Sequence, residues 1–278
     1  LRLFGCNFEC RGFGQDRDKS KWLDHDKMPH NQEHPDVKAL VDLPVPHVGC
    51  DSSFSWGKKW GHLASNDDIE TLVKKMSTVK WTGDKEHHSS PTAYKLSPCT
   101  LQNDAVHLVI TGGEPLLKGF QPALRELICH PEVYTRFVTF ETNGTQIFAP
   151  DNSVEFTRKF GVNKNSGITW SVSPKLSNSG EKWSEAIRPE ALASYNAWPY
   201  SYLYLKFVVR DEEDMKEVHE AVRAYDHARV NIDAIYLMPE TGDASVDTEH
   251  TVAQLALKYG YKYSPRLQIN LFGNEWGT

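Results

Sequence analysis

Two cysteines separated by three residues, Cys6-Asn7-Phe8-Glu9-Cys10, stand in a glycine-flanked turn near the start of the 278-residue chain. Thiols so spaced can be two buried side chains, half of a zinc site, or part of an iron–sulfur site. Zinc wants four ligands, often in two close pairs. The other three cysteines, Cys50, Cys99 and Cys129, are scattered. Three thiolates that leave one iron open would suit a cluster that must bind its substrate directly. A second turn, Thr111-Gly112-Gly113-Glu114-Pro115, offers different chemistry. Its glycines admit close backbone approach to a ligand, and Glu114 can accept hydrogen bonds from an ammonium group.

Such turns need a scaffold that carries distant segments to one edge. Arg2 to Cys6 reads as the end of a strand entering a loop. Short apolar runs predict further strands over 106–110, 137–140, 168–172, 203–209, 232–237 and 267–272. Helices are predicted over 69–76, after the capping run Asn66-Asp67-Asp68, and over 121–129, 212–225 and 246–259. Alternating strands and helices imply an α/β protein with a mostly parallel sheet. In such sheets ligands bind beyond the carboxyl ends of the strands, where the polar turns fall. Two polar stretches, about 11–49 and 80–100, lack a sustained period and read as insertions.

Taken together, the Gly5-Cys6-Asn7-x-x-Cys10 turn and the later Thr-Gly-Gly-Glu-Pro turn resemble the radical S-adenosylmethionine (SAM) superfamily. That resemblance implies a [4Fe–4S] cluster on three cysteines, with SAM chelating the fourth iron. The usual third cysteine falls at position 13, which here is Phe13. Gly49-Cys50-Asp51-Ser52 looks like the displaced end of the same run, so the first insertion would lie inside the cluster loop. Loop-closure entropy grows slowly enough with length to tolerate this. Arg2-Leu3, Glu141-Thr142-Asn143-Gly144-Thr145, Ser173-Pro174-Lys175 and Leu271-Phe272-Gly273-Asn274 extend the match. They make the chain similar to the 7-carboxy-7-deazaguanine synthase family.

The resemblance implies a single domain over 1–278, a partial (β/α)6-like radical SAM barrel lacking its first strand. It implies the ring contraction of 6-carboxy-5,6,7,8-tetrahydropterin with loss of ammonia, in 7-deazaguanine (queuosine-type) biosynthesis. Cys6, Cys10 and Cys50 would hold the cluster, and Ser52 a magnesium ion. Arg2 and Thr111 would contact substrate. Gly112, Gly113, Glu114, Asn143, Ser173, Pro174, Lys175, Met238 and Glu240 would contact SAM. Met238 stands where the family usually has glutamine, which leaves it backbone or apolar contact only. A homodimer and an electron donor such as flavodoxin or ferredoxin are also implied. Two rival readings are a radical SAM activase of a glycyl-radical enzyme and a cluster-less binding homologue.

Composition narrows the field independently. A formal charge of −6 argues against tight, direct binding of duplex nucleic acid. No apolar run approaches the length of a membrane span, and five cysteines are too few for a disulfide scaffold. A reducing, cytoplasmic setting is therefore expected. His25, His30, His34 and His47 fit no common zinc spacing and read as a solvated loop, as do His87 and His88. Cys99 and Cys129 read as a loop thiol and a helix thiol. Asp211 to Asp214 reads as an acidic helix start that complements the helix dipole.

Overall fold

Every second residue of four strands is buried, and most of these are apolar: β2 (His107–Gly112), β3 (Phe137–Thr142), β4 (Gly167–Val172) and β5 (Ser201–Val209). Side chains alternate across a sheet, so those residues share one face and pack there beneath the helices. Trp170 lies at the middle of that core, stacked at 5.0 Å on Phe140 and at 4.5 Å on Tyr195. The opposite face carries Thr111, Glu141, Ser171, Tyr204 and Lys206. The computed structural model describes residues 1–32, 37–39, 42, 46, 48–77, 107–133, 135, 137–150, 167–240, 246–267 and 271.

With β1 (Arg2–Leu3), β6 (Ala234–Pro239) and β7 (Lys262–Tyr263), the sheet has seven strands in chain order. Every pairing is parallel. Parallel neighbours need crossover connections, and among the described residues six helices are found within them. These are α1 (Ile69–Ser77), α2 (Gln121–Cys129), α3 (Trp183–Ala186), α4 (Pro189–Asn196), α5 (Glu212–His227) and α6 (Val246–Tyr259). Asp68 caps α1 by accepting from the Thr71 amide at 2.8 Å, and Asp211 caps α5 by accepting from the Glu213 amide at 2.9 Å.

The end of the chain departs from expectation. The last strand pairs at Lys262–Tyr263, and of the strand expected over 267–272 only Leu267 and Leu271 are described. Both are helical and exposed. An isolated apolar run cannot tell a strand from a helix by pattern alone. Cys99, His34, His47, His87, His88, the second insertion and 272–278 lie outside the described residues.

The first insertion is also more ordered than its composition suggests. Residues 11–32 make three short 3₁₀ turns around Met28, which is fully buried. The Gly12 amide donates to the Ser179 carbonyl at 2.8 Å, and Arg17 pairs with Asp211 and, at 3.1 Å, with Asp214. These contacts fasten the segment onto the carboxyl edge of the sheet.

Candidate active site

The carboxyl ends of the strands surround a cavity of about 440 Å³. Its wall contains Cys6, Cys10 and Cys50, with Arg2, Ser52, Thr111, Gly112, Gly113, Asn143, Ser173, Lys175, Met238 and Glu240. Residues from six separate stretches of sequence thus meet at one place. Glu114 and Pro174, the other two residues singled out above, are buried and do not line it.

The third cysteine arrives through a closure at the base of the insertion. The Gly49 amide donates to the Phe13 carbonyl at 2.7 Å, so Cys50 follows Phe13 in space although 36 residues separate them in sequence. Gly49 has φ +79°, and a Cβ there would stand 2.6 Å from the Met28 methyl. Glycine meets both demands. At the other end, the Glu9 and Cys10 amides both donate to Glu181 Oε1, at 3.0 and 2.7 Å. Burial pushes the Cys6 thiol up to about 12 and Cys50 up to about 11, with Cys10 also raised well above the usual range. The Lys175 ammonium opposes that rise at all three. No disulfide joins them: Cys6, Cys10, Cys50 and Cys129 are free thiols.

The glycine pair of the second turn proves to serve the chain's own backbone. A Cβ on Gly112 would stand 2.4 Å from the Leu3 carbonyl oxygen, and one on Gly113 would stand 2.3 Å from that of Gly5. These glycines thus admit β1 and the cysteine turn, and both also line the cavity. Glu114 is likewise turned inward. Its Oε1 accepts from the Leu116 amide at 2.9 Å and Thr142 Oγ1 at 2.7 Å, and its Oε2 accepts from the Asn143 amide at 2.7 Å. Burial raises the carboxyl despite these donors. These three donors make the side chain a brace that ties the turn to β3. Asn143 continues the brace, since its Nδ2 donates to Asn7 Oδ1 at 2.9 Å. Asn7 Nδ2 donates in turn to Thr145 Oγ1 at 3.0 Å.

Elsewhere on the wall, Arg2 donates to Ser52 Oγ and to the Gly112 carbonyl, both at 3.2 Å. Ser52 donates to Asp51 Oδ1 at 3.2 Å, and Asp51 pairs with Arg266 at 2.6 Å. Lys175 donates to Ser173 Oγ at 3.1 Å and lies over the Phe13 ring. Glu240 accepts from the Gly14 amide at 2.8 Å and Asn178 Nδ2 at 3.1 Å, with Arg210 at 3.7 Å. Burial pushes its carboxyl up to about 7, against the pull of Arg210.

The wall also carries four charged residues to which the sequence assigns no role: Asp51, Glu141, Lys206 and Arg266. Lys206 carries a signal in hindsight, because a lysine between Leu205 and Phe207 must leave the core face. Arg266 carries none.

Among the described residues, no three His, Cys, Asp or Glu side chains are close enough to hold a single metal ion. Thiolates around a four-iron cluster stand farther apart than ligands around one ion, so the three-cysteine wall fits the cluster by donor type and convergence.

No family model and no solved structure matches the chain. Curated proteins do. The chain is 33% identical over 228 residues to a 7-carboxy-7-deazaguanine synthase of Halobacterium salinarum, covering 77% of this chain and 86% of the relative. It is 28% identical over 242 residues to a synthase of the same name from Pyrobaculum aerophilum, covering 86% of each. A third, from Rhodopirellula baltica, is 29% identical over 189 residues, covering 62% of this chain and 63% of the relative. By this measure, and with its cysteines gathered at one cavity, the chain belongs to the 7-carboxy-7-deazaguanine synthase family.

Proposed function

We propose that this chain converts 6-carboxy-5,6,7,8-tetrahydropterin to 7-carboxy-7-deazaguanine with loss of ammonia. The observation that carries the reading is the meeting of Cys6, Cys10 and Cys50 beside the Gly112-Gly113 turn, in a chain whose relatives bear that name. Strands that follow one another in chain order, unlike those of a doubly wound sheet, support a partial (β/α)6 radical SAM barrel.

Cys6, Cys10 and Cys50 would hold the [4Fe–4S] cluster. When bound, the cluster and SAM supply the one-electron chemistry that starts the ring contraction. The protein's part is placement. The backbone at Gly112 and Gly113 would face the methionyl end of SAM, with Glu114 fixing that backbone from behind. Lys175 would take the SAM carboxylate, Ser173 its ribose side, and Pro174 would set the turn between them. Asn143 and Met238 would add further SAM contacts. Glu240 would act through the Gly14 amide and Asn178. Arg2 would form a charge-assisted fork to the substrate carboxylate, and Thr111 would contact the ring.

For magnesium, Ser52 Oγ and substrate carboxylate oxygens are suitable hard donors. That hydroxyl is shared between Arg2 and Asp51 and would have to exchange partners to bind the ion. A homodimer and a flavodoxin- or ferredoxin-like electron donor accompany the reading. A reducing, cytoplasmic setting does too, supported by the four free thiols. No helix among the described residues is long and apolar enough to cross a membrane.

Anaerobic incubation of reconstituted protein with the pterin, SAM and reductant tests the reading, with mass spectrometry of the products. The deazaguanine product is expected. An unchanged pterin, with a glycyl radical formed on a partner enzyme instead, would favour the activase.

A further inference from the structure

Seven charged side chains line the cavity: Arg2, Lys175, Lys206 and Arg266 against Asp51, Glu141 and Glu240. Most are engaged by protein. Arg266 holds Asp51, Arg2 holds Ser52 and the Gly112 carbonyl, Lys175 holds Ser173, and Glu240 is held by Gly14 and Asn178. Lys206 differs. Among the described residues its ammonium makes no hydrogen bond or ion pair, although the side chain is half-buried. It rises from β5 opposite Tyr236, between Leu205 and Phe207, both of which face the helices.

Its electrostatic surroundings are specific. Glu141 and Asp51 attract its charge while Lys175 and Arg266 repel it, and desolvation holds its pKa down. Asp51 also feels Arg2 and Arg266. Lys206 therefore shares the cavity wall with Asp51 and Arg266, which connect through Ser52 to Arg2. A partly desolvated ammonium without a partner is costly, and an incoming oxyanion relieves that cost.

We propose that Lys206 is a specificity-determining residue that selects a carboxylated substrate over its uncarboxylated ring. This rests on the synthase reading and adds to it a second cation on the substrate side. Arg2 fixes where the carboxylate sits. Lys206 supplies a positive charge with no direct protein partner among the described residues, which makes the carboxylate worth having.

The test compares two ligands on reconstituted protein under anaerobic titration calorimetry: 6-carboxytetrahydropterin and tetrahydropterin without the carboxylate. The parent should prefer the carboxylated ligand. Lys206→Met should lower that preference about tenfold or more, the range of one charge-assisted hydrogen bond. Lys206→Arg should retain most of it. SAM affinity, iron content and melting temperature should stay close to those of the parent in both variants. Equal weakening of both pterins, or weakening of SAM alone, overturns the proposal while leaving the synthase reading intact. A parent that binds neither pterin removes the synthase reading and this proposal with it.

Discussion

Gly49 donates its amide to the carbonyl of Phe13 at 2.7 Å, and this one backbone bond turns a broken cysteine motif into a continuous site. Phe13 occupies the position where the third thiol is usual, and Gly49 delivers Cys50 to its side. The intervening chain is held from within by Met28, whose terminal methyl sits against Gly49.

Met28→Ala should therefore weaken both the fold and the cluster site. A fully buried methionine truncated to alanine costs about 2–5 kcal/mol. A lower melting temperature and a faster loss of bound iron to chelator are expected. Unchanged iron retention would mean that the insertion does not support the closure.

Gly113→Ala should be more damaging, because the new methyl would press on the Gly5 carbonyl and Cys6 Cβ, neither of which can swing away. A cost above about 3 kcal/mol is expected for such a clash. Chemical denaturation gives the value, and a near-neutral result would contradict the tight packing of the two turns.

Asn143→Ala removes the link from Asn143 Nδ2 to Asn7 Oδ1. It also strips Thr145 of the acceptor it uses at 2.7 Å. Leaving such groups unpaired costs about 1–3 kcal/mol. Loosening of the cysteine turn should appear as faster amide exchange at 6–10, and unaltered exchange there would contradict the brace.

Glu240 predicts a pH dependence. Its folded-state pKa is raised, from 4.5 to about 7, so the folded carboxyl keeps a proton that the unfolded one has lost. Unfolding between those values releases that proton, and stability falls as pH rises through the window, then levels off above it. The full effect is of order 3 kcal/mol. Glu240→Gln keeps an acceptor for the Gly14 amide but cannot titrate. Its stability relative to the parent should therefore improve from pH 5 to pH 8, as measured by denaturant melts. A flat difference would contradict the burial argument.

Much of this arrangement was legible in the residues. Strand and helix alternation placed Thr111, Asn143, Ser173 and Met238 at one edge because the period of each element is local. Cys50 was legible through its Asp-Ser neighbours. The inward turn of Glu114 was not, since a carboxylate after two glycines looks alike whether it faces a ligand or Thr142. Nor was the arrangement of residues 11–32, where single long-range contacts such as Gly12 to Ser179 replace periodicity. Arg266 reaches Asp51 across the whole length of the chain, and no local pattern marks it. The last strand was misplaced because Lys262–Tyr263 is too short to show alternation.

Cys50 is the decisive residue of the site. Anaerobic iron–sulfur reconstitution of the parent, Cys50→Ala and Cys129→Ala, with iron and sulfide counted per chain, tests it most directly. The account predicts about four irons in the parent and in Cys129→Ala, with the cluster lost in Cys50→Ala. A stable, SAM-cleaving cluster in Cys50→Ala would show that the third ligand lies elsewhere.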